Sequence, residues 1–279
     1  QENALGARAV ATGLTDPLEK YWSWGFSDVA TWDVSDSITV RNIFGYRVFQ
    51  DLSRFDEDGT ALPLLATVKP NGWNINQEQY TEELQVQGKS LDDSLTWVAG
   101  AFGLFSHNDG PQGNVQQQLG SLVTSANHPT TRTQAVYAQA TYDLGHSIAA
   151  LDGLKFTAGY RFTWDYRALD LVQKSAAGAC NGLGADKNCD VSVSLHETEP
   201  AWNFGVDYQV TDHTMVYVTG RRGFRAGGLN PESIIPQGIS YKPEIVKDVE
   251  IGLKSDWALY GVKARTDIAS LLDQAKEGL

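Results

Sequence analysis

The chain has 279 residues, 42% of them hydrophobic, with 34 acidic against 22 basic side chains and a formal net charge of −12. Such an acid excess excludes a general nucleic-acid binder, which would be basic. No apolar run approaches the ~18 residues of a membrane-spanning helix, and 27 Gly, 8 Trp, 11 Tyr and 10 Phe with a single Met favour an all-β protein.

Taken in chain order, ten strands are expected, near 28–34, 38–49, 79–88, 95–106, 132–143, 154–169, 198–209, 214–225, 245–255 and 261–269. Gln1 opens without a basic or apolar leader, so no signal peptide is read; it has been removed or the chain begins inside a longer one. Ile38, Val40, Phe44, Tyr46 and Val48 make one apolar face with a polar gap at Asn42, and Leu84 and Val86 a shorter one. Val136, Ala138, Ala140 and Tyr142 oppose Tyr137, Gln139, Thr141 and Asp143. The clearest stretch is LKFTAGYRFTWDYRAL (154–169), whose even positions are all apolar or aromatic and whose odd positions are almost all polar or charged. Pro200–Val210, Val249–Leu253 and Val262–Ile268 repeat the pattern. Period-two alternation over this length means strands with two different solvents on their faces, and it exceeds the usual strand of about 5–6 residues.

The connections alternate strictly. Those at 35–37, 89–94, 144–153, 210–213 and 256–260 are short; those at 50–78, 107–131, 170–197 and 226–244 are long and polar or glycine-rich. All long loops therefore leave one side, as in an outer-membrane barrel. The expected fold class is all-β: an antiparallel up-and-down transmembrane β-barrel segment of about ten strands, part of a larger barrel. A soluble β-sandwich is the competitor, opposed by the strand length and by the charge on the polar face.

Few residues point to chemistry. GRRGFRAGGLNP (220–231) has P-loop glycine spacing at Gly223 and Gly228, but Leu229 and Asn230 stand where Lys and Ser/Thr are needed, and Asn230-Pro231 opens no helix. It reads as a strand turning into a loop at Gly227 and Gly228. Arg221, Arg222 and Arg225 then offer charge to lumen, rim or lipid head groups, and alternation cannot place all three alike. Arg161, Arg167 and Lys155 are expected to line the lumen or pair with acids. Cys180 and Cys189 share one long loop, which points to a local disulfide, with free thiols as the alternative. The five histidines show no paired spacing, DEDG (56–59) lacks the later Glu of a calcium loop, Asp92-Asp93 sits in a short turn, and no G-x-S-x-G elbow is found. No catalytic, cofactor-binding or metal-binding set is read.

Several segments in order, TWDVSDSITVRNIFGYR (31–47), EELQVQGKSLDDSLTWVAGAFGLF (82–105), QAVYAQATYDL (134–144), LKFTAGYRFTWD (154–165), MVYVTGRRGFRAGGLNP (215–231) and YKPEIVKDVEIGLKSD (241–256), resemble the β-barrel of TonB-dependent outer-membrane receptors over roughly residues 28–267. The resemblance implies a barrel of about 22 strands around an N-terminal plug, set in the outer membrane of a Gram-negative bacterium. It also implies capture of a scarce extracellular small-molecule ligand (siderophore, cobalamin or glycan) and energy from the TonB complex through the plug. No plug or TonB box is recognised here, no nucleic-acid partner is implied, and no residue need be catalytic. Alternatives are a passive porin or structural barrel, and a soluble secreted carbohydrate-binding β-protein. Residues 1–27 are read as a loop or preceding barrel segment and 28–269 as barrel. Residues 270–279 are an atypical tail, with Ile268, Leu271, Leu272 and Ala275 at helical spacing.

Overall fold

Ten long antiparallel strands, of 12 to 23 residues, run through the computed structural model, which describes residues 12–62, 64–180, 189–233, 236–259 and 262–276. In chain order the strands are β1 (Leu18–Ser35), β2 (Ile38–Asp56), β3 (Leu65–Pro70), β4 (Ile75–Ser90), β5 (Leu95–Asn108), β6 (Asn114–Gln118), β7 (Ser121–Asp143), β8 (Leu154–Ser175), β9 (Asp190–Thr211), β10 (Thr214–Arg225), β11 (Gly228–Leu229), β12 (Ser240–Tyr241), β13 (Glu244–Leu259) and β14 (Val262–Lys276). The strands β3, β6, β11 and β12 are short pieces within long connections. Each long strand pairs with the next long strand, so the sheet reads β1-β2-β4-β5-β7-β8-β9-β10-β13-β14.

The register turns alternation into two surfaces. Leu95, Tyr142, Phe156 and Val206 lie in one cross-strand row, and Phe105, Arg132, Tyr166 and His196 in another nearer the loop end. Both rows belong to the apolar face, where Val136, Tyr160, Trp164, Phe204, Val218 and Ile251 are exposed. An apolar face of this extent, bounded by aromatic rows, has lipid as its solvent. From Tyr142 to Arg132 the chain advances ten residues. At about 3.3 Å each and a tilt of about 40°, that climbs roughly 25 Å, the height of a barrel's apolar band. Polar side chains interrupt the band at Asp28, at Gln134 and at Asn42, which donates to Glu82.

The inner face is mostly polar through the band, where Ala135 and Thr163 are also buried, and it is packed at the loop end. There Val123, Leu169 and Leu171 are buried together with Thr67, Gln116, Ser125 and Gln173. The wall rises higher at this point because β3 and β6 fill the space above the β4–β5 hairpin. Strand β3 pairs with β2 at Phe55↔Thr67, β6 with β3 at Thr67↔Gln116, and β6 with β7 at Gln116↔Val123.

Three expectations are corrected. β1 starts at Leu18 rather than near 28, because Leu18–Ser27 finds a full set of backbone partners on β2 from Arg54 to Gly45. The connections at 50–78 and 107–131 are not plain loops, since they contain β3, β6 and the first half of β7. Residues 270–276 are strand rather than helix: β14 stays in register with β13 as far as Lys276↔Ile245. Sheet pairing satisfies the exposed peptide groups of β13 and overrides a weak helical spacing. Residues 277–279 of the expected tail lie outside the described residues.

Glycines on the inner face sit under tyrosines from the neighbouring strand. Gly100 lies opposite Tyr137, and a Cβ at Gly100 would stand 2.6 Å from Tyr137 Cζ and 2.8 Å from Leu84 O. Gly100→Val is therefore expected to lower unfolding stability by about 1–3 kcal/mol, the range for overpacking. The midpoint of heat-induced unfolding, followed as the gel-mobility shift of the barrel, measures it; an unshifted midpoint would show that the Tyr137 ring moves aside freely.

Candidate ligand-binding site at the loop end

A cavity of roughly 390 Å³ opens on the inner face where the raised wall meets the segment after β11. Ser53 comes from β2, Thr67 from β3, Asn127 from β7 and Arg167 from β8, with Gln112 from the β5–β6 link and Glu232 from the overlying segment. Amide side chains form its frame. Gln112 Oε1 accepts from Asn76 N at 2.8 Å, while its Nε2 donates to Asn127 Oδ1 at 2.7 Å. Gln50 Nε2 donates to Asn76 Oδ1 at 3.0 Å, and Ser53 N donates to Asn74 Oδ1 at 2.8 Å. Ser53, Asn76, Gln112 and Asn127 are buried, while Gln50 and Asn74 are half-buried and Gln50 and Asn76 stand behind the cavity lining; a buried amide is tolerated when its partners are supplied.

Side chains of the wall also bond the overlying segment. Gln173 Nε2 donates to Pro231 O at 3.1 Å, and Asn114 Nδ2 to Glu232 Oε1 at 3.1 Å. Gly227 N donates to Glu197 Oε2 at 2.9 Å, and a Cβ on Gly227 would stand 2.5 Å from Glu197 Oε1, so this approach needs glycine. Gln173 Oε1 and Gln116 Nε2 are buried without a hydrogen-bond partner among the described residues.

The arginines singled out in the sequence separate into distinct roles. Arg167 lines the cavity and holds Asp165 at 3.2 Å. Arg161 lies lower on the same face, over the rings of Phe102 (5.2 Å) and Tyr137 (5.7 Å). Arg221 bridges Asp248 and Glu250, each at 2.8 Å. Arg225 is largely exposed and 3.8 Å from Glu244. Arg222 starts on the parity of Trp202, on the lipid side, yet its Nη2 meets Glu199 at 2.6 Å. Pairing of β9 with β10 ends at Trp202↔Arg222, so the guanidinium passes inward where the strands part. Lys155 pairs with Asp143 at 3.6 Å at the turn end. Cys180 and Cys189 are joined by a disulfide.

The carboxylates of the acidic turn are taken up by hydrogen bonds, several from its own backbone and others from Thr12, Gly13 and Thr67. Asp56 accepts from Gly59 N, and Asp58 from Thr60 N and Leu65 N. Among the described residues no group of three or more His, Cys, Asp or Glu could hold a metal ion. The amide frame was not singled out from the sequence, although NGWNINQEQ (71–79) and PQGNVQQQ (111–118) are unusually dense in Asn and Gln; that density was the available signal.

Residues 4–268 match the family model described as TonB dependent receptor-like, beta-barrel. A comparison with curated proteins finds no match. Among solved structures, the chain is similar to the ferric yersiniabactin uptake receptor FyuA from Yersinia pestis, with a TM-score of 0.72 and 14% identity over 96% of this chain and 38% of that one. It is also similar to the siderophore receptor PiuA from Acinetobacter baumannii (0.66, 14%, 91% and 40%). The ferric-catecholate import receptor Fiu of E. coli K12 follows in its closed form (0.57, 12%, 99% and 50%). The chain thus spans about two fifths to one half of these structures, and at such identities the likeness is one of fold.

Two outcomes follow from this geometry. Arg222→Ala strands Glu199, whose side chain is only 18% exposed, beside a lost partner. Stability should fall by about 3 kcal/mol, and Glu199→Ala in the same chain should restore most of it; denaturant midpoints of the four proteins of that cycle decide. Glu57 is held above the usual carboxylate range by burial first, with Glu232, Asp56 and Asp58 adding repulsion against the hydrogen bond from Thr67. A raised folded value makes its contribution fully present below the unfolded value and lost as pH rises through the folded one. Amide exchange in residues 57–67, corrected for intrinsic rate, should therefore be slower near about pH 4 than near about pH 7; equal protection at both would show the shift has no structural consequence.

Proposed function

The chain belongs to the TonB-dependent receptor β-barrel family, and from that premise we propose that it forms barrel wall of an outer-membrane receptor importing a scarce extracellular ligand. The cell outer membrane of a Gram-negative bacterium is the setting this reading requires, with lipid against the apolar face. The long connections then face outward and the short turns face the periplasm. Ligand from the siderophore, cobalamin or glycan class enters at the loop end, and TonB energises its passage through a plug domain. The chain's part is binding rather than covalent chemistry.

The observation that best supports this reading is the amide-framed cavity on the inner face at the loop end. Its walls belong to strands continuous with the membrane band, so the donors and acceptors are held before ligand arrives, which lowers the ordering cost of binding. Its polar lining also suits a ligand that is itself rich in hydrogen-bonding groups.

Uptake of radiolabelled candidate ligands by cells producing the full-length protein tests the proposal. Gln112→Ala with Asn127→Ala is expected to weaken ligand binding by about tenfold or more, since two partnered amides are lost, while the barrel still assembles. Collapse of the proton-motive force should stop accumulation. Accumulation that continues unchanged would favour the passive porin instead, and binding unaffected by the double substitution would move the ligand elsewhere in the lumen.

A further inference from the structure

We propose that Arg132, held between Phe105 and Tyr166 on the lipid-facing surface, binds the phosphate of a phosphorylated glycolipid in the outer leaflet. The proposal rests on the outer-membrane reading above but concerns the opposite face of the wall from the cavity.

Register places Phe105, Arg132, Tyr166 and His196 in one row across β5, β7, β8 and β9. The Arg132 guanidinium lies 5.4 Å from the centre of the Phe105 ring and 5.9 Å from that of Tyr166. The row continues past Phe105 to Tyr80 on β4, His196 lies 4.6 Å from Tyr166, and His107, two positions along β5, lies 5.1 Å from Phe105. Thr130 and Gln134 share the face with Arg132, two positions away on either side. A cation flanked by rings, hydroxyl, amide and imidazoles thus marks the upper border of the apolar band, about 25 Å above Tyr142.

Its counter-charge is what the described residues do not supply. Alternation puts three arginines on this face: Arg54, Arg132 and Arg222. Arg54 pairs with Asp16 at 2.7 Å and Arg222 with Glu199 at 2.6 Å. Arg132 has no ion pair among the described residues. Glu78, opposite His107, already accepts from Tyr46 at 3.1 Å and Tyr80 at 2.7 Å. Among the described residues no hydrogen bond or ion pair takes up its N–H groups, and a planar guanidinium fork matches phosphate oxygens two at a time. The height decides the source of the phosphate. A cation at the border of hydrocarbon and head groups meets lipid phosphate, and burying that pair beside aromatic rings strengthens it over the same pair in water.

The test uses the full-length protein in phosphatidylcholine nanodiscs, with bound lipid counted by native mass spectrometry. Lipid A and lipid A stripped of both phosphates are offered in equal amounts. The wild-type protein is expected to prefer the phosphorylated form by about tenfold. Arg132→Gln should remove that preference, and Arg132→Lys should keep only part of it, since the point charge remains while the fork is lost. Equal binding of the two lipids by the wild-type protein overturns the proposal without any substitution, so a variant that folds poorly does not shield it. An unchanged preference in Arg132→Gln also overturns it, and displacement of the lipid by millimolar inorganic phosphate would reassign the site to a soluble anion. A protein that never enters the bilayer refutes the membrane reading itself, whereas insertion without lipid preference refutes the Arg132 site alone.

Discussion

Peptide groups in hydrocarbon have no water to bond, and each one left unpaired costs several kcal/mol. The sheet answers that constraint with registers that run without slip through the band. β7 and β8 stay paired from Val123↔Ser175 to Asp143↔Lys155, and β4 and β5 from Gln77↔Asn108 to Ser90↔Leu95. Once register is set, side chains have no further choice of face. The row of Phe105, Arg132, Tyr166 and His196 follows from it, and so does the inner-facing ladder of Arg221, Asp248 and Glu250.

Local features arise where this pairing stops. β9 and β10 separate beyond Trp202↔Arg222, with Pro200, which has no N–H to offer, just past that point. Through that parting Arg222 reaches Glu199 and escapes the face its parity assigns. The β4–β5 hairpin ends near Ile75 and Asn108, while β2 and β7 continue beyond it. β3 and β6 fill the space left between them, and the cavity lies along that seam. Backbone groups at a seam meet no regular ladder, and Asn and Gln side chains take over the missing partners, as Asn74 does for Ser53 N and Gln112 for Asn76 N.

The same constraint explains what the sequence disclosed. Lipid on one face and polar lumen on the other force period two, so ten long strands were legible along most of their length, although β1 was read only from residue 28 and the end of β14 as a helical tail. Above the band both faces meet water or protein, and the alternation loses its cause. NVQQQ in β6 and SLVTSANH at the start of β7 therefore read as loop although they are strand. The arginines were legible as charges on a polar stretch, but not Arg222's passage inward, which depends on where pairing ends. The amide frame joins Gln50, Asn76, Gln112 and Asn127, separated by up to 77 positions in the chain, and only the register of β2, β4 and β7 together with the path of the β5–β6 link brings them together.

Floor and cover of the cavity differ in what holds them. The floor is continuous with β2, β7 and β8, so opening it would break ladders anchored in the membrane band. The segment at Asn230–Ser233 contributes no strand to that wall; among its bonds are those from Gln173 and Asn114 and that of Asn230 N to Ile239 O, and β11 pairs with β12 at its base. Local stability follows the number of buried contacts and protected backbone bonds. Gly227 stands at the joint between floor and cover, bonded to Glu197 on β9 and too closely packed for any larger residue. The glycine-rich stretch after β10 thus serves as the anchor of the cover rather than as a cradle for phosphate.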